Sequence, residues 1–314
     1  MTNAQLAFVF PGQGSQSVGM LAELGAEFPV VRAAFAEASD GAGFDLWKLA
    51  QEGPEADLNR TERTQPALLA ASLAVWRVWQ SLGGPLPAQV AGHSLGEYSA
   101  LVCAGALPLH EAAGLVAERG RLMQAAVPAG VGSMAAVIGG DDEVIRQVCK
   151  EVSGAEIVTP ANYNSPGQLV IAGHAGAVER AAQKLAVLGV RKVVKLAVSV
   201  PSHTPLMRDA AQQLAARMAT LPWQVPTIPV LQNADAKAHA GIEFIRAALE
   251  RQLYMPVLWT DTVHSLVQNG ATKICECGPG KVLAGLCRRI DKTLEVHALA
   301  TPAALREALA AVSA

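Results

Sequence analysis

The chain has 314 residues, 51% hydrophobic and only 4% aromatic, enough to bury a sizeable core as one large domain or as a domain carrying an insertion. Its 25 basic and 27 acidic residues, spread along the chain, give a formal net charge of -2 and exclude the basic field that nucleic acid requires. Five cysteines, at 103, 149, 275, 277 and 287, make no C-x-x-C pair, so neither a disulfide framework nor a metal site is expected.

The N-terminal stretch MTNAQLAFVF lacks the basic segment, apolar run and cleavage site of a secretory signal, so a cytoplasmic protein is expected. Residues 5–10 predict a buried strand that ends in the loop PGQGSQ. This loop has Gly12 and Gly14 but Ser17 where a dinucleotide pattern wants a third glycine, and no G-K-[ST] follows, so nucleotide binding is not indicated. Its glycines instead let the backbone pass close to a reaction centre, where an N–H such as that of Gln13 meets an oxyanion.

A helix is predicted over 65–82 and a strand over 89–92, running into the sequence AGHSLGEYSAL at 91–101 and a further helix. Two readings of Ser94 compete. As a capping box, Ser94 and Glu97 satisfy backbone N–H groups at a helix start. As a nucleophile elbow, Gly92 and Gly96 permit a tight strand-to-helix turn that a cap does not need, and the Leu95 N–H is aimed at an oxyanion beside Ser94. His93 is expected to point away from its neighbour.

In the helix predicted near 109–124, Ala112, Val116, Arg119 and Met123 form one stripe. A guanidinium on an apolar face needs an anionic partner, either a structural ion pair or a substrate carboxylate held by its fork. The uncharged run 122–140 contains Gln124, Pro128 and several glycines, and so reads as loop and strand; no membrane association is expected.

From 133 to 196 the predicted order is β-α-β-β-α-β: strand 133–138, helix 141–152, strands 156–160 and 168–172, helix 175–188 and strand 191–196. Helix 205–220, a short strand near 228–232, helix 241–253, strand 272–276 and helix 280–289 then resume the α/β alternation. The fold class is therefore α/β, with a small ferredoxin-like domain at 127–201 inserted in a large domain formed by 1–126 and 202–314. The loop NYNSPGQ at 162–168 is explained by turn formation, and a role for it at a cleft stays open. A serine needs a base, and of seven histidines His203 sits at a proline-flanked junction in SVPSHTPLM. The stretch CECGPGKVL at 275–283 reads as structural.

Six stretches occurring in order, FVFPGQGSQSVGM at 8–20, GHSLGEYSAL at 92–101, ERGRLMQ at 118–124, NYNSPGQLVIAGH at 162–174, SVPSHTPLM at 199–207 and ECGPGKVL at 276–283, give the chain a family resemblance over nearly its whole length. It resembles the malonyl-CoA:acyl carrier protein transacylases of bacterial fatty-acid synthesis and the related acyltransferase domains of polyketide synthases. The resemblance implies a hydrolase-like large domain with a ferredoxin-like insert. It also implies that Ser94 is the acylated nucleophile and His203 its partner, that Gln13 and Leu95 supply oxyanion N–H groups, and that Arg119 binds the malonyl carboxylate. Met123, Asn162 and Asn164 would border the coenzyme A cleft.

The family orients its histidine with a backbone carbonyl, expected here from Leu258 in LYMPVLWT. Many relatives carry Gln where this chain has Leu258 and Asn where it has Met255, a departure that a main-chain acceptor survives and a side-chain bond does not. VPSH at 200–203 resembles malonyl-using enzymes rather than methylmalonyl-using modules. The implied reaction is ping-pong, through a malonyl-serine ester, from malonyl-CoA to the phosphopantetheine thiol of acyl carrier protein, with no cofactor and in a monomer. Two rivals remain: a serine thioesterase or esterase on the same elbow, and a non-catalytic module that docks carrier protein. Against the first, Asp141, Asp142, Glu143, Glu151, Glu156 and Glu179, which stand between Ser94 and His203, lie within the insert, and a generic hydrolase has no need of Arg119.

Overall fold

The computed structural model describes residues 2–128, 130–198 and 200–313, so Ser199, the first residue of SVPSHTPLM, lies outside the described residues. The strands are β1 (Thr2–Phe10), β2 (Leu86–Gly92), β3 (Gly132–Ile138), β4 (Val158–Ser165), β5 (Gln168–His174), β6 (Lys192–Lys195), β7 (Val230–Gln232), β8 (Lys237–Ala238), β9 (Lys273–Glu276) and β10 (Glu295–Ala298). They form a six-stranded sheet in the order β10-β9-β1-β2-β7-β8 and a four-stranded sheet in the order β4-β5-β3-β6.

The six-stranded sheet is parallel except for β8. A parallel sheet has helices on both faces, so its strands must be apolar on both. β1 meets this requirement: Leu6, Phe8 and Phe10 enter one apolar cluster, Ala7 and Val9 the other, and all five are fully buried. Phe8 packs edge-on against Trp76 and Trp79 of the helix Thr61–Ser81, with ring centroids 5.4 and 5.2 Å apart. The loops leaving β1 and β2 emerge side by side at the carboxyl end of the sheet, where open α/β sheets place their sites.

The four-stranded sheet is antiparallel throughout, and its order is that of a ferredoxin-like unit. Its strands run between Gly132 and Lys195, and we keep 127–201 as the proposed bounds of the insert. Strand alternation sorts its residues between the two faces. Ala135, Val137, Leu169 and Ile171 pack under the helices Asp142–Val152 and Ala175–Val187, while Met134, Val170 and Ala172 form a separate cluster with Leu196 and Val198. β4 meets the rest of the chain at Val257, where Tyr163 N–H donates to Val257 O and Val257 N–H donates to Ala161 O, both at 2.9 Å.

Several elements differ from the sequence expectation. The helix expected at 205–220 begins as a 3-10 turn, Pro205–Met207, and continues as Arg208–Met218. The run 122–140 opens with helix rather than loop, because Leu109–Ala126 extends into it. The helices Ala22–Glu27, Pro29–Ala42, Leu46–Glu52 and Glu55–Leu58 were not anticipated, nor were Trp259–Gln268, β10 and Pro302–Ser313. Three of the first four are seven residues or shorter, too short for a helical period to stand out.

Candidate active site

Between β2 and the helix Gly96–Cys103 the chain turns at Ser94, whose φ of 52° is left-handed. A non-glycine residue there is strained by about 1 kcal/mol or more. Three glycines surround the turn because backbone passes too close for a side chain. A Cβ on Gly92 would lie 1.9 Å from the Gly96 carbonyl, one on Gly96 2.0 Å from Phe10 O, and one on Gly12 2.4 Å from His93 O. The turn is clasped by the buried Asn233, whose Nδ2 donates to Gly92 O at 2.6 Å and whose Oδ1 accepts from the Ser94 N–H at 2.7 Å.

These contacts overturn the capping-box reading. Ser94 Oγ makes no cap; it lies 2.8 Å from His203 Nε2. Glu97 turns away from the helix start, and its carboxylate accepts from Asn233 N–H, Gln232 Nε2 and Gln252 Nε2 at 2.8, 3.1 and 3.0 Å. Burial pushes the Glu97 carboxyl up to about 7, against the downward pull of these hydrogen bonds.

His203 is also left-handed, at φ 61°, and its Nδ1–H donates to the Gln252 carbonyl at 2.7 Å. The expected acceptor, Leu258 O, is engaged elsewhere, by Thr262 N–H at 2.9 Å and by the Thr262 hydroxyl at 2.8 Å. Within the helix Ile242–Tyr254, the Gln252 carbonyl would pair with the N–H four residues on, but residue 256 is proline and has none. The neighbouring Leu253 carbonyl is likewise free to accept the His203 N–H at 3.0 Å, because Val257 N–H goes to Ala161. Burial first, and then the Arg119 charge, draw the His203 pKa down to about 3. With Nδ1 holding the proton, the Nε2 lone pair faces the Ser94 hydroxyl.

Arg119 is only 1% exposed. Its Nη1 donates to Gln65 Oε1 at 2.7 Å, its Nη2 donates to Gln252 Oε1 at 3.0 Å, and Nη2 lies 3.4 Å from Ser94 Oγ. Among the described residues no carboxylate pairs with it, so the structural ion pair weighed from the sequence is not found. Its Nε finds no hydrogen-bond acceptor among the described residues, and the guanidinium lies 5.4 Å from the centre of the Tyr98 ring.

These groups border a cleft of about 460 Å³ between the two sheets. Ser94, His203 and Arg119 line it, together with Gln13 and Leu95, whose N–H groups engage no acceptor among the described residues. Met123, Asn162 and Asn164 line it as well; Leu258 does not. His93, expected to point away, faces the cleft with Nε2 2.8 Å from Asn164 Oδ1 and its ring against Trp259. Burial lowers its pKa, which the Asn164 bond opposes, so it stands neutral. Gln65, Asn233 and Gln252 were missed by sequence reasoning; of these only Gln252 carried a signal, the proline four residues after it. Among the described residues no group of three or more His, Cys, Asp or Glu side chains could hold a metal ion, and no helix is long and apolar enough to cross a membrane.

Residues 7–302 match the acyl transferase domain family. The malonyl CoA-acyl carrier protein transacylase of Salmonella typhimurium is 54% identical over 97% of this chain and 99% of its own length, and that of Bacillus subtilis 39% identical over 98% and 96%. Among solved structures, a malonyl-CoA:acyl carrier protein transacylase from Xanthomonas oryzae superposes with a TM-score of 0.98 at 63% identity, covering 99% of both chains. A malonyl-transacylase solved in complex with its type II polyketide synthase acyl-carrier protein gives 0.96 at 53% identity, covering 98% of this chain and 99% of that one.

Two outcomes are expected. Gly96→Ala should destabilise the fold by about 3 kcal/mol in denaturant titration, since its Cβ would meet backbone, whereas Gly285→Ala, in a helix with open space around it, should be neutral or stabilising by about 1 kcal/mol. The rate at which a fluorophosphonate labels Ser94 should hold as pH falls through 6.5, the ordinary histidine value, and decline only as it nears 3, because the depressed pKa keeps His203 neutral. Over that same window the unfolded chain binds a proton that the folded chain refuses, so the contribution of His203 to stability is lost as pH falls. A labelling midpoint at 6.5 would contradict a buried, neutral His203.

Proposed function

The chain belongs to the acyl transferase domain family, and on that premise we propose the residue roles by which it works. It is an enzyme that transfers the malonyl group of malonyl-CoA to acyl carrier protein. The observation that carries the residue assignment is Arg119: a buried cation with no carboxylate partner among the described residues, opening on the same cleft as Ser94. A free malonyl carboxylate is the anion that such a site is short of.

Malonyl-CoA enters with its carboxylate on Arg119 and its thioester carbon beside Ser94. His203 Nε2 takes the hydroxyl proton as Oγ attacks, and the negative charge that develops on the carbonyl oxygen meets the N–H groups of Leu95 and Gln13. The Gln252 carbonyl, accepting from Nδ1–H, steadies the resulting imidazolium. When the intermediate collapses, the C–S bond breaks, and His203 returns its proton to the departing thiol of coenzyme A.

The malonyl-serine ester is then attacked by the phosphopantetheine thiol of the carrier protein. His203 removes the thiol proton, the same two N–H groups hold the second oxyanion, and Ser94 leaves with the proton restored. Asn162 and Asn164, on β4, border the path of the pantetheine arm, as does Met123. No group besides malonyl-CoA and the carrier thiol enters this scheme. We place the enzyme in the cytoplasm as a monomer, the location being supported by five free, buried cysteines.

Intact mass after mixing with malonyl-CoA should show a malonyl adduct that disappears in Ser94→Ala and that carrier protein discharges. Release of coenzyme A at full rate without carrier protein would make the chain a hydrolase, and no adduct with no turnover would make it a docking module. Arg119→Ala should slow malonyl transfer by about 100-fold or more, the worth of a forked charge-assisted contact, and leave transfer of a neutral acetyl group much less affected.

A further inference from the structure

The groups that hold Arg119 in place are unusual for a buried cation. A guanidinium only donates hydrogen bonds, so the atoms facing it must be acceptors, and here the nearest, ahead of the Ser94 hydroxyl at 3.4 Å, are two amide oxygens, Gln65 Oε1 and Gln252 Oε1. Neither is charged. The buried carboxylate of Glu97 is kept one residue away, because the Gln252 amide stands between: its Nε2 donates to Glu97 Oε2 at 3.0 Å while its Oε1 accepts from Arg119. The orientation of each amide is fixed by its other end, Gln252 Nε2 also donating to Ser94 O at 2.9 Å and Gln65 Nε2 approaching Met123 Sδ at 3.6 Å.

We infer that Gln65 and Gln252 determine acyl-group specificity, by holding Arg119 with neutral oxygens so that its charge is left uncompensated for the carboxylate of the incoming acyl group. A carboxylate in place of either amide would hold the guanidinium equally well in geometry and cancel its charge. The site would then offer a neutral ion pair to the substrate, and a second carboxylate entering it would meet repulsion and find no free cation. The amide cradle thus separates two tasks, aiming the fork and neutralising it, that an ordinary ion pair combines. Burial draws the Arg119 pKa down, and the upward pull of Tyr98 and of Glu97 beyond the Gln252 amide does not offset it. Gln65 is placed for this role by the helix Thr61–Ser81, where it is buried against the arginine-bearing helix Leu109–Ala126.

The inference rests on the assignment of Arg119 to the malonyl carboxylate, and the test separates the two. Second-order rates of Ser94 acylation by malonyl-CoA and acetyl-CoA are measured on the full chain, for the wild type, Gln65→Glu, Gln65→Met and Arg119→Ala. Gln65→Glu should lower the malonyl-to-acetyl rate ratio by about 100-fold, a loss confined to malonyl-CoA, whereas Gln65→Met, which removes an acceptor without adding charge, should leave that ratio within about threefold. Met123→Glu, which brings a carboxylate to the same place from the arginine's own helix, should act like Gln65→Glu and decides the matter if that variant does not fold. Equal effects of Gln65→Glu and Gln65→Met on both substrates would overturn the inference, Gln65 then serving only to pack the helices. If Arg119→Ala keeps the wild-type ratio, the carboxylate role of Arg119 falls; if it loses the ratio while both glutamate variants keep it, the neutral cradle alone is overturned.

Discussion

A serine held at φ 52° cannot keep that conformation by local preference, and the rest of the site is built around the contacts that hold it there. Asn233 clasps both sides of the turn, and Gln252 Nε2 takes the Ser94 carbonyl. Both residues come from the C-terminal part of the large sheet's unit, Asn233 just after β7 and Gln252 near the end of the helix Ile242–Tyr254. Because the same Gln252 also positions Arg119 through its side chain and His203 through its carbonyl, Ser94, His203 and Arg119 share one anchor. Their mutual distances are set by one residue rather than by three independent loops.

The network is made mostly of neutral dipoles. His203 is oriented by a carbonyl, Arg119 by two amides and the elbow by an asparagine side chain. The buried carboxylate that joins this network, Glu97, is held among N–H donors one residue away from Arg119, and burial raises its pKa. In a low-dielectric cleft this arrangement keeps any carboxylate among the described residues out of direct contact with the Arg119 guanidinium and the Ser94–His203 pair. A hydrolase-type acidic partner for the histidine would neutralise the arginine nearby as well as stabilise the imidazolium, and the carbonyl avoids that conflict.

The position of the cleft follows from packing on a larger scale. The antiparallel sheet turns the face carrying Met134 and Val170 toward the elbow, and its edge strand β4 is tied by two backbone hydrogen bonds to Val257, shortly after Gln252 in the chain. Asn164 reaches His93 from that strand. The small unit therefore serves as a wall of the site rather than as a separate module.

Much of this was legible in the residues themselves. The apolar period of β1, the β-α-β-β-α-β rhythm of 133–196, the glycines flanking Ser94 and the lone arginine on an apolar stripe are local patterns, and local sterics and amphipathicity dictate what they become. The three helices of seven residues or fewer between 22 and 58 left no such trace, and the direction of the His93 side chain depended on a turn whose geometry the sequence did not specify. The orienting carbonyl fell on Gln252 rather than Leu258 because Pro256 strips a helix end of its donor, a signal present in the chain but meaningful only once that helix end lies against His203. The sequence by itself determined which chemical groups are available and which turns they stand on. Only the tertiary structure decided the partners, since Gln65, Asn233 and Gln252 act on Ser94 and Arg119 across long separations in the chain, and hydrogen-bond direction at such distances is a property of how the elements pack.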